Sequence, residues 1–133
     1  MGVVVFDSDV LIGFVDPEDA HHTDAVAWIR EATRPQTERW ISAVNYSELL
    51  IGPMRRGMHE HVKAMLGGLS IATAPVDTQL AERAAVVRAR TNLKLPDAYA
   101  LATAIDLEHR GRTDVRLATF DKRVLKAHAD LHA

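Results

Sequence analysis

Cysteine is absent from this chain of 133 residues, which excludes disulfides, thiolate nucleophiles and cysteine-bound zinc or iron–sulfur centres. A reducing cytosol suits such a chain and is the expected compartment. No apolar run approaches the roughly 20 residues that a membrane helix needs, so no membrane association is expected. The amino terminus lacks the basic region of a signal peptide, and its apolar stretch breaks at Asp7. Charge of one sign is also lacking: 16 Lys and Arg face 18 Asp and Glu, a net charge of −2. This argues against a strongly basic nucleic-acid binder, though an enzyme that visits RNA through a local basic patch remains compatible. No internal repeat, low-complexity run or linker divides the chain, so residues 1–133 are expected to form one domain. What is present, 47% apolar and 26% charged residues, suffices for an ordinary core without covalent or metal staples.

The most informative stretch is Gly2-Val3-Val4-Val5-Phe6 running directly into Asp7-Ser8-Asp9. Apolar residues without alternation predict a strand buried on both faces, as in a parallel sheet. Carboxylates directly after such a strand place Asp7 at the carboxyl rim of the sheet, where open α/β folds bind ligands. Further on, the spacing predicts helices over Val10–Phe14, His22–Ala32, Val44–Met54 (capped by Ser42), Met58–Leu66 (stopped by Gly67-Gly68), Thr78–Thr91, Asp97–His109 and Lys122–His132. On the Val44–Met54 helix, Val44, Tyr46, Leu50, Ile51 and Met54 predict the apolar face, with Glu48 at its edge. Strands are expected at Trp40-Ile41, Ile71–Val76 and Val115–Thr119. The Asp97–His109 segment is alanine-rich and apolar almost all round, the mark of a helix buried on several sides. Strands alternating with helices predict an α/β three-layer sandwich, with a central parallel sheet flanked by helices.

Asp7 and Asp121 each follow a strand, Asp97 opens a buried helix, and Glu48 lies on the helix after the second strand. Helices that follow parallel strands begin at the same carboxyl edge, so four acids from four chain segments are expected to converge. Gathered carboxylates repel, and a bound cation makes the arrangement favourable. Oxygen ligands favour Mg²⁺ or Mn²⁺ over zinc, ions that activate water and stabilise charge in phosphodiester cleavage. Each acid also has a plainer reading: Asp97 as an N-cap or first-turn acid, Asp121 as a cap of the last helix, Glu48 as a solvated boundary residue. Asp7 is the hardest to explain that way, because a core strand ends at it.

Four segments, Phe6-Asp7-Ser8-Asp9-Val10-Leu11-Ile12, Tyr46-Ser47-Glu48-Leu49-Leu50-Ile51-Gly52, Leu95-Pro96-Asp97-Ala98-Tyr99-Ala100-Leu101-Ala102-Thr103-Ala104 and Leu117-Ala118-Thr119-Phe120-Asp121, resemble the PIN-domain motifs in order and spacing. The resemblance covers essentially the whole chain, and single-domain PIN proteins of this size are mostly VapC-type toxins of toxin–antitoxin pairs. It implies a Mg²⁺- or Mn²⁺-dependent endoribonuclease with Asp7, Glu48, Asp97 and Asp121 as catalytic and metal-binding acids. It also implies a VapB-type antitoxin as partner, RNA as substrate and a homodimer. Ser8 and Thr119 match hydroxyl positions flanking the acids. Asp9 departs from the family, where Asn, Ser or Thr is more usual.

Arg55, Arg56, Lys94, Lys122 and Arg123 fall near the expected rim, as phosphate contacts or as solvated surface. His59 and His61 lie two apart and point in different directions on a helix; both are expected at the surface. His128 and His132 lie near the chain's end, with no metal role expected. Asp7-Ser8-Asp9 after a strand also resembles the first motif of haloacid-dehalogenase-like phosphatases, with Asp7 as nucleophile and Asp9 as general acid. Val10-Leu11 stands where that family has Gly-Thr or a similar pair, and no late acidic pair with a preceding lysine follows. A PIN fold kept only as an inert binding module is the third reading, disfavoured because all four acids are present.

Overall fold

The computed structural model describes residues 2–132, the His132 side chain excepted. The order of elements is β1 (Gly2–Phe6), α1 (Ser8–Val15), α2 (His22–Ala32), β2 (Thr37–Ser42), α3 (Ala43–Arg55), α4 (His59–Gly68), β3 (Ile71–Ala74), α5 (Thr78–Thr91), α6 (Leu95–His109), β4 (Val115–Ala118) and α7 (Lys122–His132). The four strands form one parallel sheet in the order β3-β2-β1-β4.

β1 is the strand the sequence singles out, and it is central. Phe6 stands opposite Ile41 of β2 on one side and Ala118 of β4 on the other. Its side chains divide the core in two. Val3 and Val5 pack with Leu80, Leu101 and Val124 in the layer of α5, α6 and α7. Val4 and Phe6 pack with Val10, Ile29, Leu49 and Leu66 in the layer of α1 to α4. With both faces covered, a strand without polar alternation is what the geometry requires.

From β1 the chain steps outward to β2 and β3, then returns to place β4 on the far side of β1. The strand order therefore reverses between β1 and β4, and a crevice opens at their carboxyl ends. The Asp7 N–H donates to the Ala118 carbonyl at 2.9 Å and ties the two strands together there. α6 lies in the core, with Ala98, Ala100, Leu101, Ala102, Thr103, Ala104 and Leu107 buried. Its alanines let α5 and the sheet approach closely. Gly111 follows it with φ +95°, a conformation that L side chains rarely adopt.

Three local expectations are corrected. Gly67 and Gly68 lie inside the last turn of α4, and the left-handed residue that ends it is Ser70, with φ 54°. α6 begins at Leu95 rather than Asp97, because Pro96 fits a first helical turn, where its missing N–H costs nothing. On α3 the buried stripe is Asn45, Leu49 and Pro53, while Ile51 and Met54 stand half exposed. The helix turns a polar residue inward because Asn45 is needed at the sheet rim.

Candidate functional site

Asp7 follows β1 and caps α1, with only 2% of its surface exposed. Its two oxygens are held separately. The Ser8 N–H donates to Oδ1 at 2.8 Å, and the Thr119 hydroxyl donates to Oδ2 at 2.9 Å. Burial, then the adjacent Asp9 charge, push this carboxyl up to about 7 against the pull of Thr119; the Asp97 charge adds to the rise. A carboxylate so perturbed at the end of a core strand marks a functional site more often than a structural one.

Glu48 arrives from α3, whose start is fixed by Ser42: its hydroxyl accepts the Asn45 N–H at 3.0 Å. The Glu48 Oε1 atom accepts from the Ser8 hydroxyl at 2.8 Å and from the Asn45 amide at 3.3 Å. The same Asn45 amide donates to the Pro96 carbonyl at 3.0 Å. Asn45 is fully buried and joins α3, the Glu48 carboxylate and the first turn of α6. Asp97 sits in that first turn; the N-cap is Lys94, which makes no side-chain cap. Burial raises the Asp97 carboxyl, followed by the charges of Asp121, Glu48 and Asp9, with Arg123 opposing them.

Asp121 is the exception among the acids. Arg123 grips it from Nη2 at 2.9 Å and Nε at 3.2 Å, and the Arg123 N–H donates to its Oδ1. That guanidinium holds the Asp121 carboxyl below the usual range. The plainer reading of Asp121, a carboxylate at the start of the last helix, is therefore also true of it. Arg123, expected as a phosphate contact or a solvated residue, is engaged with Asp121; the pair is on the surface and open to exchange. Arg55, Arg56, Lys94 and Lys122 are all exposed.

The two hydroxyls tie the acids into one unit. Ser8 links Asp7 to Glu48. Thr119 donates to Asp7 while accepting the Asp121 N–H at 3.1 Å. Asp9 joins them through its Oδ2, which accepts the Phe120 N–H at 2.9 Å. The carboxylate charges connect the set: Asp97 feels Asp121, Glu48 and Asp9, Asp7 feels Asp9 and Asp97, and Asp9 feels Asp121, so the structure brings Asp7, Glu48, Asp97 and Asp121 to one edge and adds Asp9. Sequence reasoning missed Asn45 and the Arg123 pairing. Asn45 had a signal: it lies three residues from both Ser42 and Glu48, on one helical face.

Among the described residues, no three His, Asp or Glu side chains converge into a ready metal cage. The protein's own donors, Ser8, Thr119, Asn45 and Arg123, already occupy oxygens of Asp7, Glu48 and Asp121. The residues nevertheless fit a hard divalent cation. The donor atoms are carboxylate oxygens, their like charges oppose ionisation at Asp7 and Asp97, and Asp9 Oδ1 is buried and accepts no hydrogen bond of full geometry among the described residues. Cavities of about 580 Å³ lie elsewhere, one between α5, α6 and α7 and another among α1 to α4, and no acid of the cluster lines either. The acids instead occupy the rim at the β1–β4 reversal. His59 is near Glu60 at 3.7 Å and His61 is exposed; His128 meets Glu108 at 3.2 Å. The His132 side chain lies outside the described residues.

Compared with known proteins, the chain matches the family model of the PIN domain over residues 4–131. Among solved structures it is similar to a chain of a toxin–antitoxin complex from Klebsiella pneumoniae. That chain is 27% identical over 90% of this chain and 87% of its own length, with a TM-score of 0.65. The fold is also that of Mycobacterium tuberculosis VapC20, a sarcin–ricin loop cleaving toxin. VapC20 is 18% identical over 93% of this chain and 94% of its own, with a TM-score of 0.69. Among curated proteins none matches.

Proposed function

The chain belongs to the PIN-domain family, and on that premise we propose that it is a Mg²⁺- or Mn²⁺-dependent endoribonuclease, the toxin of a VapBC-type toxin–antitoxin pair. The observation that carries the reading is the convergence of Asp7, Glu48 and Asp97, with Asp121 beside them, where the strand order reverses. In this reading residues 1–133 form a single PIN domain that acts in the cytoplasm as a homodimer. The Klebsiella neighbour's place in a toxin–antitoxin complex supports an antitoxin partner. Among the described residues no helix is long and apolar enough to cross a membrane.

Asp7, Glu48, Asp97 and Asp121 are the residues proposed to hold the cation and to serve catalysis. A divalent ion held by these acids would supply Lewis acidity toward the phosphodiester and the attacking water. The protein's own part is positioning. Ser8 and Thr119 each fix one oxygen of Asp7, and Ser8 and Asn45 fix Oε1 of Glu48. The Arg123–Asp121 pair at the surface places a guanidinium where an RNA phosphate can compete for it. The deciding experiment measures cleavage of single-stranded RNA with Mg²⁺ or Mn²⁺ and with excess EDTA, while far-ultraviolet circular dichroism follows the fold. Cleavage that stops on chelation with an unchanged helical signal is expected, since the core holds no metal-dependent element. Undiminished cleavage in EDTA would sink the mechanism.

A further inference from the structure

Asp9 is the acid for which the family pattern supplies no role, and the structure gives its two oxygens different surroundings. Oδ2 accepts the Phe120 N–H at 2.9 Å and lies 3.4 Å from the Thr119 hydroxyl, which donates at shorter range to Asp7. Phe120 immediately precedes Asp121. One oxygen of Asp9 thus clamps α1 to the turn between β4 and α7 that carries Asp121. The other, Oδ1, is buried and accepts no hydrogen bond of full geometry among the described residues, although the Val10 N–H also favours the charged form of this carboxyl. A buried carboxylate oxygen without a full hydrogen bond is costly to leave so. Neutral Asn would satisfy the clamp equally well, because its carbonyl oxygen also accepts an N–H. The clamp therefore explains an oxygen at position 9 but not a charge.

We propose that the Asp9 charge is addressed to the cation: Oδ1 is a fifth carboxylate donor toward the divalent ion, and Oδ2 holds the Asp121 turn in register. This rests on the metal-dependent reading above. Surplus charge at an oxygen site raises cation affinity, so this chain is expected to load at lower divalent ion concentrations than a neutral residue at position 9 would allow. The role concerns binding and placement rather than chemistry.

The test is Mn²⁺ binding by isothermal titration calorimetry to the full chain as wild type, Asp9→Asn and Asp9→Ala, with amide hydrogen exchange at Phe120. Asp9→Asn is expected to bind Mn²⁺ about tenfold or more weakly and to keep the Phe120 amide protected. Asp9→Ala is expected to lose both the affinity and the protection. Wild-type affinity in Asp9→Asn overturns the inference while leaving the ribonuclease reading intact, and does so whether or not Asp9→Ala folds. A wild-type protein that binds no Mn²⁺ overturns both readings together.

Discussion

The two edges of the sheet use the same residue types to opposite ends. At the amino edge charges come in opposite pairs. Arg112 meets Glu38 through two contacts at 3.1 and 3.2 Å, and Glu31 lies 3.0 Å from Arg34 and 3.7 Å from Arg116. The Arg112 guanidinium holds the Glu38 carboxyl below its ordinary value. At the carboxyl edge five acids gather with Arg123 as the partner of one of them, and burial together with like charge lifts Asp7 and Asp97. The amino edge is neutralised within the fold. The carboxyl edge is left with negative charge that the fold's own cations do not match, a standing cost in stability that only a functional requirement explains.

The sharpest way to break this contrast is to remove one charge from the carboxyl edge. Asp97→Asn is expected to cut RNA cleavage by orders of magnitude, while its metal-free melting temperature equals or exceeds that of wild type. A role in the helix alone would reverse the pattern. Losing a first-turn acid costs about 0.3–1 kcal/mol of dipole interaction and would leave cleavage intact. Growth arrest on expression, at matched protein level, gives a second readout; an Asn variant as toxic as wild type returns Asp97 to a structural role.

A change of pH sharpens the same contrast at smaller amplitude. The Asp7 carboxyl titrates near its ordinary 3.8 in the unfolded chain and about 7 in the fold. Between those values the folded protein binds the extra proton, so the contribution is complete below pH 3.8 and lost as pH rises through about 7. Metal-free protein is expected to be more stable at pH 5 than at pH 8, by about 3 kcal/mol at most from Asp7. The raised Asp9 and Asp97 act in the same direction, and the lowered Asp121 and Glu38 against it. Saturating Mn²⁺ should narrow the gap by stabilising the charged form at pH 8. Thermal melts at both pH values, with EDTA and with Mn²⁺, check this; greater metal-free stability at pH 8 would refute it.

The smallest effect belongs to the amino edge. Glu38→Gln removes half of a solvent-exposed ion pair, and such pairs contribute little. Its melting temperature and cleavage rate should both stay close to wild type, with any difference shrinking further in high salt. A large loss of cleavage would show that the two edges are coupled through β2.

Much of this molecule was legible in advance because the signals are local. Unbroken apolarity bounded β1 at Gly2–Phe6, and helical spacing bounded α2 at His22–Ala32 and α5 at Thr78–Thr91. The four acids were legible for a related reason: parallel strands share a direction, so whatever ends a strand or opens the following helix arrives at the same edge. The ends of α4 and α6 were misread through local turn chemistry at Ser70 and Pro96, whereas the face of α3 was misread because a neighbour from distant sequence decided it. α3 turns Asn45 inward because the Pro96 carbonyl, 51 residues away, takes its amide.

The sequence by itself therefore determined the parallel sheet, its buried strand and the edge to which the acids are delivered, since hydrophobic period and residue order carry that information. Only the tertiary structure decided how those acids are held. The Thr119 hydroxyl reaches Asp7 across 112 residues, Ser8 reaches Glu48 across 40, and Arg123 grips Asp121 and holds its carboxyl below the usual range. Hydrogen bonds and electrostatic fields depend on distances through space, and the packing of the two helical layers on the sheet sets those distances.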